Sequence, residues 1–304
     1  MIIVELMGGL GNQMFEYAAA RCLAEKLGQP LKIDTTTLLD RTNTTEGFMF
    51  RNYDLGIWNI QESFATPEEV FALTNKSEAP LSFAKKLSRK ASNLLKSSAP
   101  ENRVYKEPYF YYDRNFYKQK APLYLQGYWQ SEEYFKPISR IIRQEFTFKN
   151  PLSSHCESMA AQIESTESIC LNVRRGDFVS SPKTSELLGF VGINYLEKGV
   201  DLIADKLDNP HVYIFSDEPE WCKENLQFSY PTTLVSHEYA GEKFRDYLDL
   251  MIRCKYFVIP NSSFAWWAAW LAPHKQKIVV TPQKWFADPT MSSIDLIPST
   301  WVKA

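Results

Sequence analysis

Arg174-Arg175-Gly176-Asp177 concentrates more potential chemistry in four positions than any other stretch of this chain. Two guanidinium groups beside a glycine suit a diphosphate. The planar fork matches phosphate oxygens in a fixed geometry and stays charged at any working pH. Each charge-assisted bond of this kind contributes ~1.5–3 kcal/mol. Ser262-Ser263, just ahead of a helical pattern, offers hydroxyls and open backbone N–H groups to the same anion. Asp217-Glu218 supplies carboxylates able to accept from the N1–H and 2-amino group of a guanine. Each pattern also has a plainer reading, an R-R-G-D surface turn or a pair of serines capping a helix. Their meeting on one edge of a sheet favours the chemical one.

The fourth signal is GGLGNQMFEYA at 8–18, with Gly8, Gly9 and Gly11 between the apolar run IIVEL and a helical pattern. A P-loop needs Lys after its last glycine, and none follows. The dinucleotide fingerprint G-x-G-x-x-G starts at Gly9 and Gly11 but reaches Met14. The spelling points instead to a turn that lets substrate approach the backbone, with Asn12 and Gln13 offering amide contacts.

These residues need strands and helices to hold them. Residues 2–6 and 31–34 read as strands around a helix at 13–27, whose Phe15, Ala18, Ala19, Cys22, Leu23 and Leu27 share a face; Gly28 is its C-cap. From 40 to 120 the pattern is irregular. Asn150-Pro151 marks a boundary between 1–150 and 151–304. Beyond it, strands at 169–173, 212–216, 232–236, 256–260 and 278–281 alternate with helices at 194–207, 219–226, 243–254 and 264–272. That alternation predicts an α/β fold with a parallel, doubly wound sheet. Ligands bind such sheets beyond the carboxyl ends of the strands. Arg174, Asp217 and Ser262 follow three strands there, and the glycine turn takes the same place on the first sheet.

The remaining totals exclude more than they assign. At 304 residues and a net charge of −2, the chain lacks the basic footprint of a nucleic-acid binder. Its five cysteines never form C-x-x-C and its four histidines never form H-x-x-x-H, so neither a zinc site nor a disulfide framework is expected. No basic leader precedes the first strand, which predicts a cytoplasmic protein. Residues 81–96 (LSFAKKLSRKASNLLK) carry five positive charges and no acid at helical spacing. Peripheral docking at the inner face of a bacterial membrane is one reading of this segment. A solvated helix packed on its own domain is the favoured one. Trp266, Trp267 and Trp270 invite a sugar-stacking role, but their spacing favours a helix wedged into the core. Tyr128 and Trp129 are the better acceptor-side candidates. Asp246 and Asp249 either brace the nucleotide loop or face solvent.

The blocks GGLGNQMFEYA (8–18), GYWQSEEYF (127–135), VRRGDF (173–178), SDE (216–218) and DLMIRCKYFVIPNSSFAWWAAWL (249–271) occur in this order. Together they resemble glycosyltransferase family 11, the inverting α-1,2-fucosyltransferases that use GDP-fucose. The resemblance spans almost the whole chain. It implies the GT-B fold, two Rossmann-like domains whose parallel sheets face a cleft, with the acceptor on the first domain and GDP-fucose on the second. By position it implies that Arg174 holds the donor's β-phosphate with Arg175 assisting. Ser262, Ser263 and Phe264 would lie at the same phosphates, Asp217 and Glu218 at the guanine, and Asp177 near the sugar or ribose. Asn12 would line the cleft near the transferred sugar, with Gly8, Gly9, Gly11 and Gln13 forming the cleft loop. One position departs from the pattern: Asn172 stands where the family usually has His, leaving an amide to make any base contact.

The implied reaction moves fucose from GDP-β-L-fucose to the 2-hydroxyl of a terminal β-galactoside such as lactose or N-acetyllactosamine. Arg174 would strengthen its hold as charge grows on the departing diphosphate, which lowers the barrier. No D-x-D triplet occurs, so no metal or other cofactor is expected. Asp177 is the first candidate for a base and Glu218 the second. The proton could equally leave late, to water or to the departing phosphate. The competing readings are a transferase for another nucleotide sugar, a dinucleotide oxidoreductase, or a non-catalytic carbohydrate-binding protein.

Overall fold

The computed structural model describes residues 1–42, 50–75, 103–176, 186, 189 and 191–304. The basic segment 81–96, Asp177 and most of 180–193 lie outside the described residues. In chain order the strands are β1 (Ile2–Glu5), β2 (Leu31–Asp34), β3 (Val104–Lys106), β4 (Leu123–Gln126), β5 (Glu167–Val173), β6 (Pro210–Ser216), β7 (Thr232–Val235), β8 (Tyr256–Val258), β9 (Val279–Thr281) and β10 (Val302–Lys303). The helices are α1 (Leu10–Leu27), α2 (Thr36–Leu39), α3 (Pro67–Thr74), α4 (Ser139–Glu145), α5 (Glu157–Ser165), α6 (Ile193–Ala204), α7 (Pro219–Asn225), α8 (Arg245–Arg253) and α9 (Ser263–Leu271).

Two sheets result, one with strand order β2-β1-β4-β3 and the other β10-β9-β8-β5-β6-β7. Every pairing in both is parallel. Parallel neighbours require crossovers, which the helices supply, and burial on both faces explains the continuous apolar runs in β1 and β5. Two all-parallel sheets with helical crossovers match the expectation of two Rossmann-like units. All carboxyl ends of a parallel sheet lie on one edge, so the loops that leave those ends share a rim.

Local signals account for the ends of α1. Gly28 takes the left-handed conformation (φ 59°), and the N–H groups of Gly28 and Gln29 return to the carbonyls of Glu25 and Ala24. The helix starts at Leu10, earlier than the periodicity predicts. It is also buried on almost every side, Met14, Glu16, Tyr17 and Ala20 included, instead of on one face. The extra burial has a source in the second half of the chain, because α9 packs on α1. Trp266 and Trp267 are fully buried, with Phe15 4.5 and 4.9 Å away, ring centroid to ring centroid. One apolar cluster accordingly runs from β1 through α1 and α9 to β9.

Two further expectations change. A helix at 243–254 begins only at Arg245, because Lys243 and Phe244 hold left-handed backbone (φ 53° and 58°). That kink carries the Lys243 ammonium to the carbonyl of Tyr53, 2.8 Å away in the first half. Asp246 and Asp249 do not face solvent. Both are buried with Arg245, which also donates to the Asn150 carbonyl beside the expected boundary. Strands β3 and β4 lie inside or just beyond the segment that reads as irregular. With three and four residues, they are too short to show a period.

Among the described residues no helix is long and apolar enough to cross a membrane. The cysteines are all buried free thiols.

Candidate active site

The arginine loop and the carboxylates leave the second sheet side by side, since Val173 of β5 is in register with Ser216 of β6. Asp217 accepts from the backbone N–H of Arg175 (2.9 Å) and of Gly176 (3.0 Å). Its second oxygen lies 2.8 Å from Nη1 of Arg174. A Cβ at Gly176 would stand 2.9 Å from that same oxygen, so the glycine is needed for the close approach. The carboxylate expected at a guanine is here engaged with the loop that carries Arg174. Asp217 is the anchor of the loop that presents Arg174. Arg175 is turned along the protein: Nε donates to Glu218 (3.0 Å) and the guanidinium lies 3.7 Å from the Trp221 ring centroid. Its plane is thus fixed by a carboxylate and an aromatic face. Asn172 is buried within β5 and donates to the Phe215 carbonyl at 3.1 Å.

Helix α9 opens on the same rim, after the neighbouring strand β8. The Ser262 hydroxyl caps it by accepting from Ala265 N–H at 3.5 Å. The N–H groups of Ser263 and Phe264 fall in the first turn, where no intrahelical acceptor exists, and the helix dipole adds positive potential there. At the other end, Lys277 donates to the carbonyls of Ala269, Trp270 and Ala272 at 2.6, 3.1 and 2.9 Å. Burial and the nearby Arg143 lower its pKa to about 8. The cation at the C-terminus follows the dipole's sign, which by the same rule makes the N-terminus suited to an anion.

The glycine turn faces this helix start directly. A Cβ on Gly11 would lie 2.5 Å from the Ser263 carbonyl carbon and 2.6 Å from the Phe264 nitrogen. The Gly11 carbonyl accepts from Trp267 Nε1 at 2.9 Å. The bare backbone at 11 therefore admits the other half of the protein. Asn12 completes the contact: Oδ1 accepts from Ser263 Oγ (2.8 Å) and from Gln130 Nε2 (2.9 Å). Gly8 has a positive φ (67°) and leaves room for Asn12 Nδ2, which a Cβ would approach to 2.4 Å. Gly9 is the N-cap of α1 in extended backbone.

Two sequence candidates turn away from the cleft. Gln13 is fully buried; it donates to the carbonyls of Gly8 and Asn52 and accepts from Asp54 N–H. Its amide is committed to holding the 52–54 loop. Trp129 is also fully buried, packed between Phe116 and Tyr134 at 5.1 and 5.3 Å. Tyr128 remains partly buried at the rim.

Sequence reasoning missed Glu107, one residue beyond β3 on the first sheet's rim. Its two oxygens accept from the N–H groups of Tyr128 (2.7 Å) and Trp129 (3.0 Å). A Cβ on Gly127 would stand 2.3 Å from the Cβ of Glu107, so the first residue of GYWQ is glycine to admit this side chain. Burial pushes the Glu107 carboxyl up to about 7, against the two backbone hydrogen bonds, which lower it. Glu16 of α1 is fully buried and holds Met7 N–H at 2.9 Å. Burial raises its pKa well above the carboxylate range, with the charges of Glu5 and Glu107 adding to the rise. The one available signal for Glu107 was the glycine of GYWQ, which marks a close approach without naming its partner. Among the described residues no group of three or more His, Cys, Asp or Glu side chains could hold a metal ion.

Comparison with known proteins identifies the family of the chain. The model of glycosyl transferase family 11 matches residues 1–304. An Escherichia coli α-1,2-colitosyltransferase is 28% identical over 305 residues, covering 100% of this chain and 98% of that protein. The O-antigen biosynthesis glycosyltransferase WbnK of Escherichia coli is 30% identical over 309 residues, 98% of each chain. Human galactoside α-(1,2)-fucosyltransferase 1 is 27% identical over 159 residues, 49% of this chain and 43% of the human protein. Among solved structures, fucosyltransferase NodZ from Bradyrhizobium is similar with a TM-score of 0.46 and 15% identity, over 90% of this chain and 93% of that one. With the family's pattern running from the first residue to the last, the chain belongs to glycosyltransferase family 11, a fucosyltransferase-related family of transferases.

Proposed function

We propose that the protein is an inverting, metal-independent α-1,2-fucosyltransferase that moves L-fucose from GDP-β-L-fucose to the 2-hydroxyl of a terminal β-galactoside. The observation that carries this reading is the shared rim. Arg174, held by Asp217, and the first turn of α9 leave the adjacent strands β5 and β8, and the start of α9 meets the Gly8–Asn12 turn. A diphosphate in that position meets a guanidinium, two hydroxyls and a helix N-terminus together. The acceptor oxygen attacks the anomeric carbon, the bond to the diphosphate breaks with its electrons leaving on GDP, and the hydroxyl proton departs. Arg174 and the helix dipole stabilise the charge that grows on GDP, which is where preorganised donors lower a barrier most. The α-1,2 linkage is supported by the names of the full-length colitosyl relative and of the human protein.

The test is transfer from GDP-fucose to lactose in the presence of EDTA, followed by linkage analysis of the product. Arg174→Ala is expected to lower turnover by ~10²-fold or more, the scale for one lost preorganised donor; near-normal turnover removes Arg174 from the site. The colitosyl relative favours one second reading, a different sugar on the donor. Under that reading the chain binds GDP but does not transfer fucose. A non-catalytic lectin would bind lactose and leave GDP-fucose intact.

A further inference from the structure

We propose that Glu107 is the general base of the transfer, receiving the proton of the acceptor hydroxyl as that oxygen bonds to the anomeric carbon. This rests on the fucosyl-transfer reading above. Three observations place a carboxylate of the right kind at Glu107. The first is position. Glu107 leaves the carboxyl end of β3 and is held by the 127–129 backbone as it leaves the carboxyl end of β4. The next residue, Gln130, bonds Asn12, which bonds Ser263 at the start of α9. An unbroken set of contacts thus joins Glu107 to the diphosphate-facing helix through one four-residue loop.

The second observation is the surface beside it. Tyr109 and Tyr111 stack face to face, 4.7 Å apart and within 4° of parallel, with 51% and 37% of their surface exposed. Between them Phe110 turns to Phe286 of the second half (5.8 Å), and the Tyr112 N–H donates to Asp295 at 3.1 Å. The segment is pinned across the cleft, so these exposed rings are a built surface. Exposed flat rings two and four residues along the chain from Glu107 suit a hexopyranose, which has apolar C–H faces and hydroxyl edges.

The third is protonation. The charged and titratable groups that interact with Glu107 are Glu16 from α1 and the phenols of Tyr128 and Tyr134; Glu5 from β1 acts on Glu16 and Tyr128, and the Arg51 guanidinium stands near Tyr128. Burial sets the carboxyl near 7, where a base combines adequate basicity with a populated ionised form. In the step, the acceptor oxygen's electron pair forms the C–O bond to the anomeric carbon. The bond to the β-phosphate oxygen breaks onto GDP, and the proton passes to a Glu107 oxygen, giving a neutral acid that later returns it to water.

The experiment uses the full chain with GDP-fucose and lactose, measuring kcat from pH 5 to 9 and the GDP dissociation constant by calorimetry. Wild type is expected to lose turnover as pH falls below about 7, because the base is then protonated. Glu107→Gln is expected to lower kcat by ~10²-fold or more, flatten that acid limb and leave GDP affinity unchanged. Glu107→Asp, which keeps a carboxylate, is expected to retain the limb with reduced turnover. A Gln variant with wild-type turnover, or one that keeps the acid limb, overturns the inference. If that variant fails to fold, a wild-type profile with no limb between pH 6 and 8 overturns it just as well. A wild type that binds no GDP ends the donor reading and this inference together. An active wild type with an indifferent Glu107→Gln ends only the inference.

Discussion

Asp217 holds the arginine loop through three contacts at once. Its carboxylate gathers two backbone N–H groups and the Arg174 guanidinium, so it fixes where the loop's positive charge points. Removing one partner of such a network strands the rest, and under the proposed function the cost falls on the diphosphate contact. We expect Asp217→Ala to weaken GDP and inorganic pyrophosphate by similar factors, measured by calorimetry. Weakening confined to GDP would mean that Asp217 reads the base. At this scale the arginines and serines were legible, because their types announce anion binding. Glu107 was not, because a lone glutamate in an aperiodic segment announces nothing until Gly127 is seen against it.

Helices α1 and α9 pack together with their first turns in contact, and that contact depends on the absence of one methyl group. Gly11→Ala would drive a Cβ into the backbone at Ser263 and Phe264, which cannot swing aside as a side chain can. Overpacking of this kind costs ~1–3 kcal/mol. We therefore expect a melting temperature lower by several degrees, at roughly 2–4 °C per kcal/mol for a chain of this class, together with weaker GDP binding because Ser263 moves. An unchanged melt with unchanged affinity would show that the two helices separate freely. Helical spacing correctly assigned Trp266, Trp267 and Trp270 to a core. It could not say that the core belonged partly to α1, since periodicity records which face is buried and not what buries it.

The described residues form two sheets and three apolar clusters, the largest of which spans both halves with residues from β1, α1, α9 and β9. We propose that 1–150 and 151–304 are the protein's acceptor-side and donor-side units, and that they unfold together. Scanning calorimetry is expected to show one cooperative transition with matching van't Hoff and calorimetric enthalpies. Two resolved transitions would mean that the units are independently stable and the shared cluster is weak.

The sequence alone determined the α/β class, most strands and helices of the second half, and the four polar signals that leave strand ends. These follow from local chemistry: apolar runs, 3.6-residue spacing, and glycine or serine at helix starts. Only the tertiary structure decided that the glycine turn receives a helix backbone, that Asp217 holds an arginine loop, that Gln13 and Trp129 are interior, and that Glu107 stands at the rim. Most of these depend on a partner far away in the sequence or on a strand too short to show a period. Contacts of that kind are set by how packed elements meet, and no local pattern encodes them.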